Sequence, residues 1–315
     1  MHISLAIEEF FAQRTVRNLQ EQTLRWYRMW LSHWQKWLVE NRRAEQIMDI
    51  NVEDMRDFLL YLRTEHVPYQ AHTNHPNGNQ LSEQSVRGAW QVLNGFWRYL
   101  EDEGMLTAEQ RTFFPRRVPR PRVEQDVRPT YADDDIETLL DACTNKDPEI
   151  EARDRAIILL LLESGMRVGE LCCMRIEHME LTKRQARIRG KGGKWRYAFW
   201  AGRSAKELER YAQYRMHERE GVFFMSGKAH QGTPITYNTV RMLFRRLQKR
   251  SGILLPKGSP IHALRHTFAH KVLQAGVDGL YLQQLMGHAD MQTTARYVRE
   301  HPSKLHSIHD RIFDE

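Results

Sequence analysis

The sequence predicts a mainly α protein: an N-terminal helical bundle, then a second, mostly helical domain carrying a small three-stranded antiparallel sheet. Three observations predict it. Apolar residues recur at three- and four-residue steps through most of the 315 residues, the period of an amphipathic helix. One Pro- and Arg-rich stretch, 115–129, interrupts that pattern. Strand-like segments flank a single Gly190-Lys-Gly-Gly193 turn, which suits a hairpin.

In the first domain, residues 1–114, Ser4–Gln13 places Leu5, Ile7, Phe10 and Phe11 at helical spacing. Glu21–Glu40 carries Leu24, Tyr27, Leu31, Trp34 and Leu38 on one stripe. Asn51 is a side chain suited to an N-cap, with Met55, Phe58, Leu59 and Leu62 turned inward behind it. Leu81–Glu103 repeats the pattern with Val86, Trp90, Leu93, Phe96, Trp97 and Leu100, and Gly104 ends it. A polar loop, 66–80, contains His66, His72 and His75. No carboxylate or cysteine of fitting spacing joins them, so they read as solvated rather than as a metal site. On the helix faces opposite the aromatic stripes stand Arg25, Arg28, Lys36, Arg87 and Arg98. They can meet phosphates or simply solvate the bundle.

Residues 115–129 form the linker. Its four prolines discourage helix, and its five arginines, among them Arg116, Arg117, Arg120 and Arg122, outnumber two acids, which suits a segment lying along a polyanion. The second domain, 130–315, reads as helices over Asp133–Cys143, Glu149–Glu163, Val168–Met174, Ala205–Arg219, Tyr237–Arg250 and His262–Ala275. Strands fall at Gln185–Arg189 and Lys194–Trp200, with a third near Met179–Leu181.

Composition bounds the function. A share of 41% hydrophobic and 28% charged residues is that of an ordinary folded protein. The net charge of +7 favours an anionic partner. The longest apolar run, Ala156–Leu162, is far too short for a bilayer, and no signal peptide is apparent. Cys143, Cys172 and Cys173 show no CxxC spacing. They read as small core residues in a reducing compartment.

The chemistry concentrates late in the chain. His262-Ala-Leu-Arg265-His266, Gly287-His288 and Tyr297 follow one another, with Arg167 and Lys191 upstream. Arginine forks stay charged and suit the non-bridging oxygens of a phosphodiester. Histidine can donate to them or take the nucleophile's proton, and lysine can protonate a leaving oxygen. Tyrosine can attack phosphorus and later leave it, so the step is reversible without an outside energy source. His262 and Arg265 are three apart and share a helix face. No HExxH pattern supports zinc on His262, His266 and His270.

These residues resemble the signature of the tyrosine recombinases, the phage integrase family, through Gly165-Met-Arg-Val-Gly-Glu-Leu, Gly190-Lys-Gly, His262-Ala-Leu-Arg-His, Leu285-Met-Gly-His and Ala289-Asp-Met-Gln-Thr-Thr-Ala-Arg-Tyr297. The resemblance covers nearly the whole chain and is to the two-domain, Xer-like members. It implies that Arg167, Lys191, His262, Arg265 and His288 activate the phosphate, that Lys191 is the general acid and that Tyr297 is the nucleophile. It implies a core-DNA-binding first domain, with no arm-binding domain before it, and a catalytic second domain. The two clamp duplex DNA, and a C-terminal tail carrying Leu305, Ile308, Ile312 and Phe313 is exchanged between protomers. The implied assembly is a homotetramer on two inverted-repeat core sites, with or without a second recombinase, exchanging strands through 3′-phosphotyrosines and a Holliday junction. No metal or nucleotide cofactor is expected, nor a membrane, and the expected place is the cytoplasm, at the nucleoid. The role is mobile-element integration or excision, cointegrate resolution or chromosome dimer resolution. A type IB topoisomerase-like nicking and closing enzyme, a DNA-binding protein that does not cut, and a metal-dependent nuclease are the competing readings.

Overall fold

The computed structural model describes residues 1–66, 80–123, 129–190, 193–215, 218–228, 232–254, 256 and 259–287. The expected polar loop, apart from its two ends, lies outside the described residues, as do Lys191, His288, Tyr297 and the tail. The chain divides into two compact units, Met1–Gln125 and Asp126–Glu315. The described residues are mainly helical with one small antiparallel sheet, as the sequence predicts.

The first unit holds α1 (Ile3–Val16), α2 (Glu21–Glu40), α3 (Val52–Thr64) and α4 (Glu83–Asp102). Asn51 caps α3 through a reciprocal box: its Oδ1 accepts from the Asp54 N–H, and Asp54 Oδ2 accepts from the Asn51 N–H, both at 2.9 Å. The aromatic stripes meet in the core. Phe10 lies edge-on to Phe96 at 5.4 Å, and Trp97 stacks on Phe113 at 5.5 Å. Close approach of α2 and α4 needs small residues, since a Cβ on Gly95 would stand 3.2 Å from the Tyr27 hydroxyl.

The segment read as linker does not begin at Pro115 in structural terms. Phe113–Arg117 forms a kinked helical turn, and Val118 is buried in the bundle core. Trp90 Nε1 donates to the Val118 carbonyl at 2.9 Å, and Arg56 holds the Arg117 carbonyl through Nε and Nη2 at 3.1 and 2.8 Å. Proline stiffness did not set this boundary. Apolar burial and capped carbonyls carry the bundle on to Val118.

The second unit holds α5 (Asp133–Asp141), α6 (Pro148–Ser164), α7 (Val168–Cys172), β1 (Met179–Glu180), β2 (Gln185–Arg189), β3 (Trp195–Phe199), α8 (Gly202–Ala212), α9 (Tyr237–Ser251), α10 (Pro260–Gln274) and α11 (Gly279–Met286). The sheet order is β1-β2-β3, antiparallel throughout. The apolar run of α6 is the unit's central helix. It is buried almost all round between α8 and α10, as a helix apolar on every face must be.

Several bounds differ from expectation. α8 stops at Ala212 rather than Arg219, because Arg215 turns inward and is 3% exposed, its guanidinium donating to the Val222 carbonyl at 2.7 Å. α11 has no counterpart among the helices read from the sequence. Its mark there is one Asp278, whose Oδ1 accepts from the Leu280 N–H at 2.6 Å. The cysteines are not all core residues: Cys143 is buried, Cys172 half-buried and Cys173 exposed. Burial pushes the Cys143 thiol up to about 12 and Cys172 up to about 11, so both stay protonated at neutral pH. No helix among the described residues is long and apolar enough to cross a membrane.

Gln110 joins three parts of the bundle. Its Nε2 donates to the carbonyls of Ile47 and Ile50 at 2.8 and 2.9 Å, its Oε1 accepts from the Thr107 N–H at 3.1 Å, and its own carbonyl takes Trp97 Nε1 at 2.8 Å. Gln110→Ala leaves the Ile47 and Ile50 carbonyls and the Thr107 N–H without this partner, while the Trp97 bond to the backbone carbonyl remains. The substitution should cost about 2–3 kcal/mol in urea unfolding followed by tryptophan fluorescence. A loss below about 0.5 kcal/mol, the range of ordinary surface changes, would show that the side chain does not hold the bundle together.

Candidate active site

The site is built on the carbonyl end of α11. A helix leaves its last carbonyls without intrahelical partners and carries partial negative charge there. Here three arginines supply the partners. Arg196 Nη1 donates to the Leu285 carbonyl at 2.7 Å, Arg265 Nη2 to Met286 at 2.7 Å, and Arg167 Nη2 to Gly287 at 3.4 Å. Gly287 closes the helix in the left-handed region at φ 62°. A Cβ there would stand 2.6 Å from Arg196 Cδ, so both backbone and space require glycine.

Each arginine arrives by a different route. Arg167 caps α7, its N–H donating to Glu170 Oε2 at 2.8 Å. It follows Gly165, which ends α6 at φ 58° under the Phe268 ring. Arg265 is on α10, 6% exposed, and its Nη1 donates to the Gly165 carbonyl. Arg196 is on the inward face of β3. Glu170 ties the group together from a buried position: its Oε1 accepts from Arg167 Nη1 at 3.1 Å and its Oε2 from Arg196 Nη2 at 2.8 Å. Arg167 keeps 31% of its side chain exposed. Its guanidinium therefore faces solvent while anchored.

Of the six expected catalytic residues, Arg167 and Arg265 are brought together around residues 285–287. His262 stands in the first turn of α10, exposed, with its Nδ1 2.8 Å from the hydroxyl of Ser259, the N-cap residue. Lys191 belongs to the connection between β2 and β3, and His288 directly follows Gly287. These two and Tyr297 lie outside the described residues. Sequence reading passed over Glu170 and Arg196. Glu170 had a visible signal, a carboxylate three residues after Arg167 in capping-box spacing. Arg196 had only its place on the inward phase of a short strand.

A second feature adjoins His262. An open cleft is lined by Tyr237, Arg241, Arg245 and Gln248 along one face of α9, with Ser259 and Pro260 opposite. Both arginines are exposed, and no acidic side chain pairs with them among the described residues. The cleft therefore attracts anions.

The basic residues expected to face DNA from the first unit fall into two groups. Arg25 and Lys36 are exposed on α2 and paired with Glu21 and Glu40 at 3.2 and 3.5 Å. Such surface pairs are weak and exchange readily for phosphate. Arg28 lies over the Phe11 ring at 4.8 Å, and Arg98, Arg116, Arg120 and Arg122 are exposed. Arg87 is half-buried. Arg117 is half-buried as well. Its guanidinium pairs with Glu109 at 2.8 Å over the Phe113 ring, while Arg56 holds its carbonyl. It is part of the docking of 113–118. No group of three or more His, Cys, Asp or Glu among the described residues is placed to hold a metal ion.

Residues 130–304 match the phage integrase family, and residues 7–104 match the phage integrase N-terminal SAM-like domain. The tyrosine recombinase XerD of Shewanella oneidensis is similar at 28% identity over 300 residues, spanning 94% of this chain and 91% of that protein. The tyrosine recombinase XerA of Pyrococcus horikoshii is similar at 26% over 294 residues, spanning 93% and 88%. Among solved structures, the Tn1549 transposon integrase in complex with transposon right end DNA superposes with a TM-score of 0.71 at 16% identity, covering 100% of both chains. The XerH site-specific recombinase bound to palindromic difH substrate superposes at 0.68 and 18%, covering 96% of this chain and 83% of that one. At these identities the likeness is one of fold.

Removing Glu170 would leave Arg167 and Arg196 facing one another without their counter-charge. Glu170→Leu should cost about 3–5 kcal/mol, the penalty of breaking a buried ion pair, and Glu170→Gln less, because an acceptor remains. Urea unfolding of both variants checks the order. Equal losses would mean that the acceptor oxygen contributes nothing beyond the lost charge.

Proposed function

The chain belongs to the phage integrase family, and on that premise we propose that it is a site-specific recombinase that cuts and rejoins duplex DNA through a covalent bond to Tyr297. The observation that carries this reading is the convergence of Arg167 and Arg265 on the residues that immediately precede His288. Separate helices thereby deliver two fixed positive charges to one point, which is what a phosphodiester gaining charge at its non-bridging oxygens requires.

The steps follow from the side chains. The Tyr297 hydroxyl oxygen attacks phosphorus and passes its proton to a base, the role assigned to His262. Arg167, Arg265 and His288 donate to the two non-bridging oxygens. The bond from phosphorus to the 5′ oxygen breaks, and Lys191 protonates that oxygen. A 3′-phosphotyrosine and a free 5′ hydroxyl result, and attack by the hydroxyl of a partner strand reverses the step with the roles exchanged. Cleavage of one strand pair and then the other passes through a Holliday junction. Four protomers on two inverted-repeat core sites supply the tyrosines. The relatives bear names of Xer recombinases, and the solved neighbours were captured on DNA core and end sites. These support duplex DNA as the partner here. The first unit's exposed arginines and the α9 cleft beside His262 supply basic faces for it. In a mobile element or a chromosome the same chemistry serves integration, excision or resolution.

On nicked suicide duplexes the wild-type chain should form an SDS-resistant adduct that survives EDTA and is lost in Tyr297→Phe. Arg265→Ala should lower the adduct yield at least about a hundredfold, as loss of a transition-state donor does. An adduct that persists in Tyr297→Phe would overturn the reading. Arg241→Ala should weaken duplex binding on every sequence and lower the salt slope by about one. A slope that does not change would take α9 out of the DNA interface.

A further inference from the structure

The outward face of the sheet plays no part in the site above, and it is unusual. Strand alternation puts Trp195, Tyr197 and Phe199 on the side of β3 opposite the buried Ala198. The pairing Arg187 to Tyr197 and Arg189 to Trp195 puts both arginines on the same side of β2. The three rings are 44%, 49% and 47% exposed. One exposed aromatic needs no explanation, but three in phase along an edge strand form a patch that demands cover.

The details select what covers it. Tyr197 and Phe199 stack with centroids 6.3 Å apart. Arg187 lies 4.6 Å over the Trp195 ring, and His178 meets that ring edge-on at 5.0 Å. No carboxylate pairs with Arg187 or Arg189 among the described residues. Flat rings beside unneutralised guanidinium groups suit a ligand that alternates planar π surfaces with anionic charge, which describes a nucleic-acid strand. A duplex hides its base faces. Alternate residues of a strand repeat at about 7 Å, twice the ~3.4 Å advance per nucleotide along one strand of a duplex. A strand that seats bases on successive rings must therefore be unpaired and stretched.

We propose that the Trp195, Tyr197 and Phe199 face binds unpaired single-stranded DNA by base stacking, with Arg187 and Arg189 taking its phosphates. This goes beyond the cleavage site. Strand exchange generates such a ligand, since the strand bearing the free 5′ hydroxyl must part from its complement before it reaches a partner. The sheet is well placed to receive it, because the connection from β2 to β3 carries Lys191, the proposed donor to that same hydroxyl.

The test uses the full-length protein and a fluorescent oligothymidine of about twelve nucleotides, with binding read by anisotropy at about 0.15 M salt. Tyr197→Leu, which keeps apolar bulk but removes the ring, should weaken binding about tenfold. Tyr197→Phe should bind as wild type, and Arg187→Glu should weaken binding by at least as much as Tyr197→Leu. The Tyr297-dependent adduct on a nicked duplex should persist in all three. Equal oligothymidine binding by wild type and Tyr197→Leu overturns the proposal. The same holds if Tyr197→Leu instead changes only the sedimentation of the DNA-free protein, which would make the face a contact between copies of the chain. Ring-dependent oligothymidine binding by a chain that forms no adduct on any duplex would uphold this site while removing the recombinase reading.

Discussion

The capping of α11 by arginine side chains is the interaction on which the candidate site depends. An eight-residue helix whose last carbonyls are covered by protein cannot leave them bare, since each buried, unsatisfied carbonyl costs about 1–3 kcal/mol. Arg196, Arg265 and Arg167 satisfy Leu285, Met286 and Gly287 in turn. The same bonds fix where three remote stretches of chain meet. Because Glu170 neutralises two of these cations at once, the cluster can be buried without stranding its charge. The guanidinium groups thus serve two ends: they hold a helix terminus, and they are held by it in fixed positions.

Gly165 and Gly287 are the two backbone positions that make this possible. Both lie in the left-handed region, and at both a Cβ would overlap a neighbour, the Phe268 ring in one case and the Arg196 stem in the other. Gly165 ends α6 so that its carbonyl faces Arg265, and Gly287 ends α11 so that the chain leaves toward His288. The rigid element behind Gly165 is α6, whose burial on nearly every face makes it the frame of the unit, and α10 packs on both α6 and α11.

The same bond recurs outside the site, and it changes what net charge means here. Arg153 donates to the carbonyls of Met225, Ser226 and Gly227, Arg215 to Val222, Arg155 to Leu140 and Arg56 to Arg117. Part of the chain's positive charge thus serves its own backbone rather than a partner. Outside the cleavage site, exposed cations with no such bond among the described residues, such as Arg241 and Arg245 on α9 and Arg187 and Arg189 on the sheet, are the better guide to where polyanions bind.

Local pattern alone determined most of the elements. The aromatic stripes of α2 and α4, the Asn51 cap, the glycine stops and the hairpin around 190–193 all follow from period, propensity and turn chemistry, which act within a few residues. The ordered motifs likewise led to Arg167 and Arg265. Where the structure departs from the sequence reading, the cause is non-local. Val118 belongs to the bundle because a tryptophan 28 residues away holds its carbonyl. α8 ends early because Arg215 is drawn inward to Val222. Arg196 and Glu170 join the site because β3 and α7 meet at the end of α11, a helix too short and weakly patterned to be read ahead of its neighbours. Only the tertiary structure decided which arginines cap carbonyls and which face solvent, because a guanidinium is satisfied equally well by a phosphate, a carboxylate or a peptide oxygen, and the sequence does not say which is within reach.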